Sequence, residues 1–192
     1  MSTVFLLVGL PGTGKYTIAR AMRGRLEARG LQGRVVDNHY VNNPIFGLLD
    51  LDSATPLPPA VWERVAEVRD AVVSTVETLS PRGWWFIFTN HLVDDPGDVA
   101  WVRRLAVLAE RRGGRLVAVR LVCALEELRR RRVQPDRRDR MKQTDVAGLE
   151  DVYARQRPLD PGTPGSLTLD VTDLSAAEAA ERILAHADAR GA

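Results

Sequence analysis

The feature that most constrains this chain is a join. The apolar run Val4-Phe5-Leu6-Leu7-Val8 passes directly into Gly9-Leu10-Pro11-Gly12-Thr13-Gly14-Lys15, and a helical pattern follows from Gly14 to Arg29. A short apolar run bounded by glycine reads as a buried strand. Glycines let the backbone curl so that successive N–H groups point at one anion, the helix that follows adds its positive end, and the lysine can reach the far phosphates of a nucleotide. Strand, glycine loop, helix and lysine therefore agree on a phosphate-binding loop made of Gly9, Leu10, Pro11, Gly12, Thr13, Gly14 and Lys15, with Tyr16 and Thr17 in the first helical turn. A glycine-rich turn before an ordinary helix is the plainer alternative, and it accounts for neither the spacing nor the lysine.

One position departs from that pattern. Where such loops place a Ser or Thr hydroxyl on Mg²⁺, this chain has Tyr16, whose phenol sits too far from its backbone to substitute directly. Thr17 is one helical step on, rotated by about 100°. Two readings stay open: Mg²⁺ is held through water, the phosphates and an acid elsewhere, or the site binds nucleotide and turns it over weakly. The protein ligands of the metal are left unassigned.

A length of 192 residues suits one domain at roughly 100–200 residues each, so residues 1–192 are expected to form a single unit. The 45% hydrophobic and 27% charged fractions exclude disordered, collagen-like and membrane-spanning chains. Charge is nearly balanced, with 27 Lys and Arg against 25 Asp and Glu, so any nucleic-acid reading has to rest on a local patch. The single Cys123 can form neither an internal disulfide nor a multi-cysteine zinc site and reads as a small buried hydrophobe. The N-terminal apolar run is too short to span a bilayer and leads into glycines instead of a cleavage site. A reducing, cytoplasmic setting is expected, with no membrane partner.

Short apolar runs alternate with helical patterns along the chain. Strands are expected at Thr3–Val8, Arg34–Asp37, Trp84–Thr89, Leu116–Cys123 and Ser166–Val171. Between them, Pro59 opens a helix with Val61, Val65, Val68, Val72, Val76 and Leu79 on a face that should be buried, and helices are expected at Val99–Arg112, Leu125–Val133 and Asp145–Gln156. Asp94 and Asp95 read as helix-entry residues before Pro96, and Ser175 to Glu178 as a capping box. A long loop is expected after Asp37. Five strands alternating with helices imply an α/β protein with a parallel sheet covered on both faces.

With these residues in view, the chain resembles the small P-loop kinases that include shikimate, gluconate and nucleoside-monophosphate kinases and related antibiotic phosphotransferases. The resemblance covers the whole chain as an order of elements, while the phosphate loop is its specific sequence match. It implies a P-loop NTPase three-layer sandwich with strand order 2-3-1-4-5 and an arginine-rich lid, here at about residues 129–144. It also implies ATP and Mg²⁺ as cofactors.

In that group the second strand often ends in an acid that orients or deprotonates the acceptor hydroxyl, a role that falls here to Asp37. A carboxylate that merely caps the next turn is the competing reading. Asn90 stands where many P-loop proteins carry an acid after the third strand, and it could bind phosphate, metal-bound water or acceptor. His39 and His91 both follow strand ends and are candidate acceptor ligands; their spacing does not suggest zinc. Of Arg129 to Arg132, a helix can turn only one or two toward the nucleotide, and Arg131 is favoured. Arg138 joins it as a candidate stabiliser of transferred charge, and Arg137 and Arg140 are candidate substrate contacts. The segment from about residue 38 to 62 is expected to receive the acceptor.

The expected activity is transfer of the γ-phosphoryl group of ATP to a hydroxyl of a small molecule. Lys15, Asp37, Arg131 and Arg138 would carry the chemistry. A nucleotide-binding regulatory module and an ATPase with weak or no kinase activity are the alternatives. A polynucleotide 5′-kinase fits less well, because no aromatic platform is interleaved with the arginines.

Overall fold

The computed structural model describes residues 2–49, 57–132, 153 and 155–190. Its five strands are β1 (Thr3–Val8), β2 (Gly33–Asp37), β3 (Trp85–Asn90), β4 (Arg115–Val122) and β5 (Leu167–Asp170). They form one sheet in the order β2-β3-β1-β4-β5, with every pairing parallel. The helices are α1 (Lys15–Ala28), α2 (Asn38–Phe46), α3 (Pro59–Thr78), α4 (Pro96–Arg111), α5 (Leu125–Arg132) and α6 (Ala176–Ala189). This is the α/β sandwich and strand order of P-loop NTPases.

β1 lies at the centre and is buried along its whole length, as a continuous apolar run in a parallel sheet must be. Its side chains alternate between two cores. Phe5 and Leu7 pack with Ile18, Met22 and Leu26 of α1 and with Ile183 and Leu184 of α6. Val4, Leu6 and Val8 face the other way, onto Val73 and Val76 of α3 and Trp101, Leu105 and Leu108 of α4. Cys123 is a buried free thiol in the first core, and burial pushes its pKa up.

Caps behave as expected: the Asp95 side chain accepts from the N–H groups of Gly97 and Asp98 at the start of α4, and Ser175 and Glu178 form the reciprocal capping box of α6. Two expectations are corrected. The segment after Asp37 is helical, α2, capped by the Asp37 side chain; Pro44 lies inside it, and the last turn is closed by Gly47 N–H donating to Asn43 O at 2.9 Å. On α3, Val65, Val73 and Val76 are buried, whereas Val61, Val68 and Val72 are half-buried and Leu79, the C-cap residue, is exposed. The expected helix over Asp145–Gln156 and the lid beyond Arg132 lie outside the described residues, apart from Tyr153, Arg155 and Gln156.

Arg112 ties the far end of this layer together. Its buried guanidinium donates to the carbonyls of Val76, Ser80 (3.3 Å) and Pro81 (2.7 Å) and stacks over Phe86. Among the described residues no helix is long and apolar enough to cross a membrane.

Candidate functional site

The residues that follow β1, β2 and β3 meet at the carboxyl edge of the sheet, where open α/β folds place their ligands. After β1 the chain enters the glycine loop. Gly12 and Gly14 have φ of 100° and 86°, a left-handed conformation that side chains rarely adopt, and Gly14 is the N-cap of α1. Gly9 is needed for a different reason: a Cβ there would lie 2.7 Å from Thr13 Oγ1 and 3.1 Å from the Leu121 carbonyl. Thr13 is buried and closes the loop on itself, its hydroxyl donating to Leu10 O at 2.9 Å. Lys15 Nζ donates to the carbonyls of Gly9 (2.7 Å) and Leu10 (2.9 Å), which arches its ammonium over the loop.

Asp37 ends β2. It is buried, and both oxygens are engaged: Oδ1 accepts from the His39 N–H at 2.9 Å and Oδ2 from Thr89 Oγ1 at 3.0 Å. The capping reading and the functional reading therefore do not compete, because each carboxylate oxygen retains a second lone pair. Asn90, one residue after Thr89, donates from Nδ2 to Asn38 Oδ1 (3.1 Å) and accepts on Oδ1 from Trp101 Nε1 (3.3 Å). Gly9 N–H donates to Asn90 O at 3.3 Å and locks the glycine loop to the end of β3.

His39 Nδ1 lies 3.3 Å from Asn43 Oδ1 along α2. His91 is largely buried, and burial first, then the nearby Lys15 ammonium, push its pKa down to about 4 against a smaller opposing effect of Gln156. The imidazole is thus neutral at pH 7, with Nε2 buried and without a hydrogen-bond partner. Leu159 N–H donates to Leu92 O at 2.9 Å, which brings the segment carrying Gln156 against this strand end.

Tyr16 is hydrogen-bonded to Tyr40 on α2, and that bond, with burial and the Asp37 charge, raises the Tyr40 pKa. Thr17 is exposed. Among the described residues no cluster of three or more His, Cys, Asp or Glu could hold a metal ion. The donors of the described residues do not by themselves build a Mg²⁺ site.

Arg131 reaches the loop: its Nη1 lies 3.9 Å from where a Cβ on Gly14 would be. Its guanidinium is anchored on Glu127 (2.6 Å) and on the carbonyls of Val171 (2.8 Å) and Thr172 (3.1 Å) after β5. Hydrogen bonds from Arg130 and then Arg131 hold Glu127 at about 2. Arg129 and Arg130 form i,i+3 pairs with Glu126 and Glu127 on the helix surface. Arg137, Arg138 and Arg140 lie outside the described residues, as do Asp50 and Asp52 of the expected acceptor segment.

Sequence reasoning passed over Arg69, Thr89 and Trp101. A crevice lined by Asp37, Asn38, Asn90, Arg69 and Trp101 holds a cavity of about 10 Å³, room for one water. Arg69 and Trp101 sit in the middle of helices and carry no local motif; their shared 4.9 Å stacking is a tertiary fact.

No family model matches the chain, and no curated protein does either. Solved structures do. The APS kinase of Mycobacterium tuberculosis, in complex with AMPPNP and APS, is 18% identical with a TM-score of 0.62, over 97% of this chain and 98% of that one. A gluconokinase from Sinorhizobium meliloti is 16% identical with a TM-score of 0.60, over 98% of this chain and 93% of that one. Chaetomium thermophilum Kti12, in complex with ADP-AlF3, is 16% identical with a TM-score of 0.57, over 95% and 98%. The fold is that of the P-loop kinases. At these identities the likeness defines the fold and leaves the acceptor to be argued from the site.

Proposed function

We propose that the protein is an ATP-dependent phosphotransferase acting on a hydroxyl of a small molecule. The observation that carries this reading is that one sheet edge bears both the phosphate loop after β1 and, across β3, a buried Asp37 whose carboxylate is held by Thr89 and the His39 N–H. The loop N–H groups and Lys15 hold the triphosphate, for which Lys15 exchanges its bonds to Gly9 and Leu10 carbonyls for phosphate oxygens. The acceptor hydroxyl donates to Asp37. As its oxygen bonds to the γ-phosphorus, the bond from that phosphorus to the β–γ bridging oxygen breaks, ADP leaves, and the hydroxyl proton passes to the carboxylate. Arg131, over Gly14, neutralises charge on the transferred group, and Arg138 joins it from the lid.

Asn90, His39 and His91, with Arg137 and Arg140, contact the acceptor or its phosphates. Mg²⁺ bound with the nucleotide would supply neutralisation of phosphate charge. Because the crevice beside Asp37 has room for one water, acceptor entry requires its walls to part. A cytoplasmic setting suits the buried thiol of Cys123.

The test is Mg²⁺-dependent ADP formation with pooled hydroxyl-bearing metabolites, nucleosides, antibiotics and 5′-hydroxyl oligonucleotides, with Lys15→Ala as the blank. Acceptor-stimulated ADP that vanishes in the blank establishes the kinase. The Tyr16–Tyr40 bond at the usual metal-ligand position favours a second reading, a nucleotide-binding module without transfer. Tight ATP binding with no ADP from any pool would select it.

A further inference from the structure

We propose that the outer face of α3 and α4 is an association surface for a second copy of this chain, joined about a two-fold axis that runs along the two helices. The inference is independent of the kinase reading and stands even if the site transfers no phosphate.

α3 and α4 lie side by side as a ladder. Asp70 pairs with Arg104 at 3.1 Å and Glu77 with Arg111 at 2.9 Å, so the helices run in the same direction and a residue of α3 stands level with the one 34 positions on. The same offset sets Ala66 level with Ala100 and Val73 level with Val107. Charged rungs therefore alternate with small apolar ones. Because the apolar rungs are short, they leave a space of about 300 Å³, open to the surface, lined by Val73, Ala100, Val107 and Leu108 together with Glu77 and the α4 arginines. Val107, at its rim, is 43% exposed.

The opposite layer is finished differently. α1 and α6 also carry two cross-helix ion pairs, Arg25–Glu181 (3.2 Å) and Arg29–Asp188 (3.0 Å), but Met22, Leu26, Ile183, Leu184 and Ala187 fill the seam between those helices as one buried core. Between α3 and α4 the ion pairs bridge a space that no described residue fills.

Charge decides what can cover it. The α3 rim is acidic, with Glu63, Glu67, Asp70 and Glu77, and the α4 rim is basic, with Arg103, Arg104 and Arg111; Glu110 of α4 does not line the space. A polyanion or an anionic lipid surface is repelled by the first rim, and a polycation by the second. A second copy meets neither obstacle. A two-fold axis along the groove lays the acidic rim of each copy over the basic rim of the other, and every pairing is made twice.

Rotation about an axis parallel to the helices keeps residues at their own levels. Arg103 then stands within two residues of the levels of Asp70 and Glu67 of the second copy, about 3 Å along the helix. Arg103 is exposed and, among the described residues, has no hydrogen-bond or ion-pair partner in its own chain. Glu67 is held by Arg64 of the same helix at 2.5 Å, an exposed pair that contributes little and is easily exchanged. Val107 of each copy comes level with Val73 of the other, and the short rungs let the helices approach closely.

The test is sedimentation equilibrium of the full chain in wild type, Arg103→Glu, Glu67→Arg, Val107→Asp and the double variant Arg103→Glu/Glu67→Arg. Wild type is expected to dimerise reversibly and to weaken as salt rises. Arg103→Glu and Glu67→Arg should each raise the dissociation constant by about tenfold or more, and the double variant, in which the charges are exchanged, should return to within about threefold of wild type. Val107→Asp should abolish the dimer. All three positions are exposed, so far-ultraviolet circular dichroism should be unchanged and lost association is not lost folding. A wild-type chain that stays monomeric at about 100 μM overturns the inference. A dimer equally tight in Arg103→Glu and Val107→Asp places the contact on another face and overturns it too. A double variant no tighter than the single ones overturns the two-fold pairing of Arg103 with the acidic rim.

Discussion

Thr89 Oγ1 donates to Asp37 Oδ2 at 3.0 Å, joining two residues that are direct cross-strand partners at the ends of β2 and β3. Sheet register therefore sets the direction of the carboxylate, and α2 confirms it through the His39 N–H on the other oxygen. A buried acid held by two neutral donors keeps free lone pairs directed away from both, which is the geometry a hydroxyl acceptor needs.

Asp37→Asn keeps an oxygen for the His39 N–H but cannot take a proton. Turnover should fall by about 100-fold or more while ATP affinity stays within about twofold. Steady-state kcat with an active acceptor, beside calorimetric ATP titration, checks both. Unchanged turnover removes Asp37 from the chemistry.

How much of this was legible in the chain differs from element to element. β1, the glycine loop and α1 follow from a continuous apolar run, glycine and a helical period, all local signals, and all three lie where the sequence puts them. Asp37, Asn90 and His91 were readable because strand ends in a parallel sheet gather at one edge. Helix α2 was not: Asn42, Asn43 and Pro44 read as loop residues, and only the cap from Asp37 and contact with α3 outweigh them. Arg69 was hidden for another reason. Its place in the crevice goes with its stacking on Trp101, 32 positions away, which is written in no local pattern.

Gly9 and Gly24 make a matched pair. A Cβ on Gly9 meets Thr13 Oγ1 and the Leu121 backbone, and Thr13 is already fixed on Leu10 O, so Gly9→Ala should cost about 1–3 kcal/mol. Gly24, inside α1, has nothing within 4 Å of its Cβ position, and Gly24→Ala should stabilise by about 0.5–1 kcal/mol. Urea midpoints of the two variants should move in opposite directions. A shift of the same sign in both would refute the crowding at Gly9.

Tyr16→Thr places a short hydroxyl at the second position of the helix and breaks the bond to Tyr40. The Mg²⁺ concentration for half-maximal nucleotide binding should drop on the order of tenfold. The Tyr40 pKa, raised first by its hydrogen bond to Tyr16, should move back toward 10 while burial and Asp37 still hold it above that value. Ultraviolet titration reads the second effect without any turnover. A Tyr40 titration identical to wild type would show that the phenols do not interact.

His91 makes stability depend on pH in a direction that follows from its burial. Its pKa is about 4 in the fold and about 6.5 in an unfolded chain, so between those values the unfolded state binds the extra proton. Stability is therefore fully present above pH 6.5, declines as pH falls toward 4, and levels off below. The full difference is about 3 kcal/mol at 1.36 kcal/mol per unit. Urea denaturation at pH 7 and pH 4.5 should show most of that loss in wild type, and His91→Gln should lose the part that titrates with the imidazole. Lys15→Met removes the second cause of the depression, so the His91 ring resonance should titrate at a higher pH in that variant, though still below 6.5, because burial remains the larger cause. A His91 that titrates near 6.5 in wild type would mean that the imidazole reaches water, and that it offers the nucleotide a cation where the geometry argues for a neutral ring.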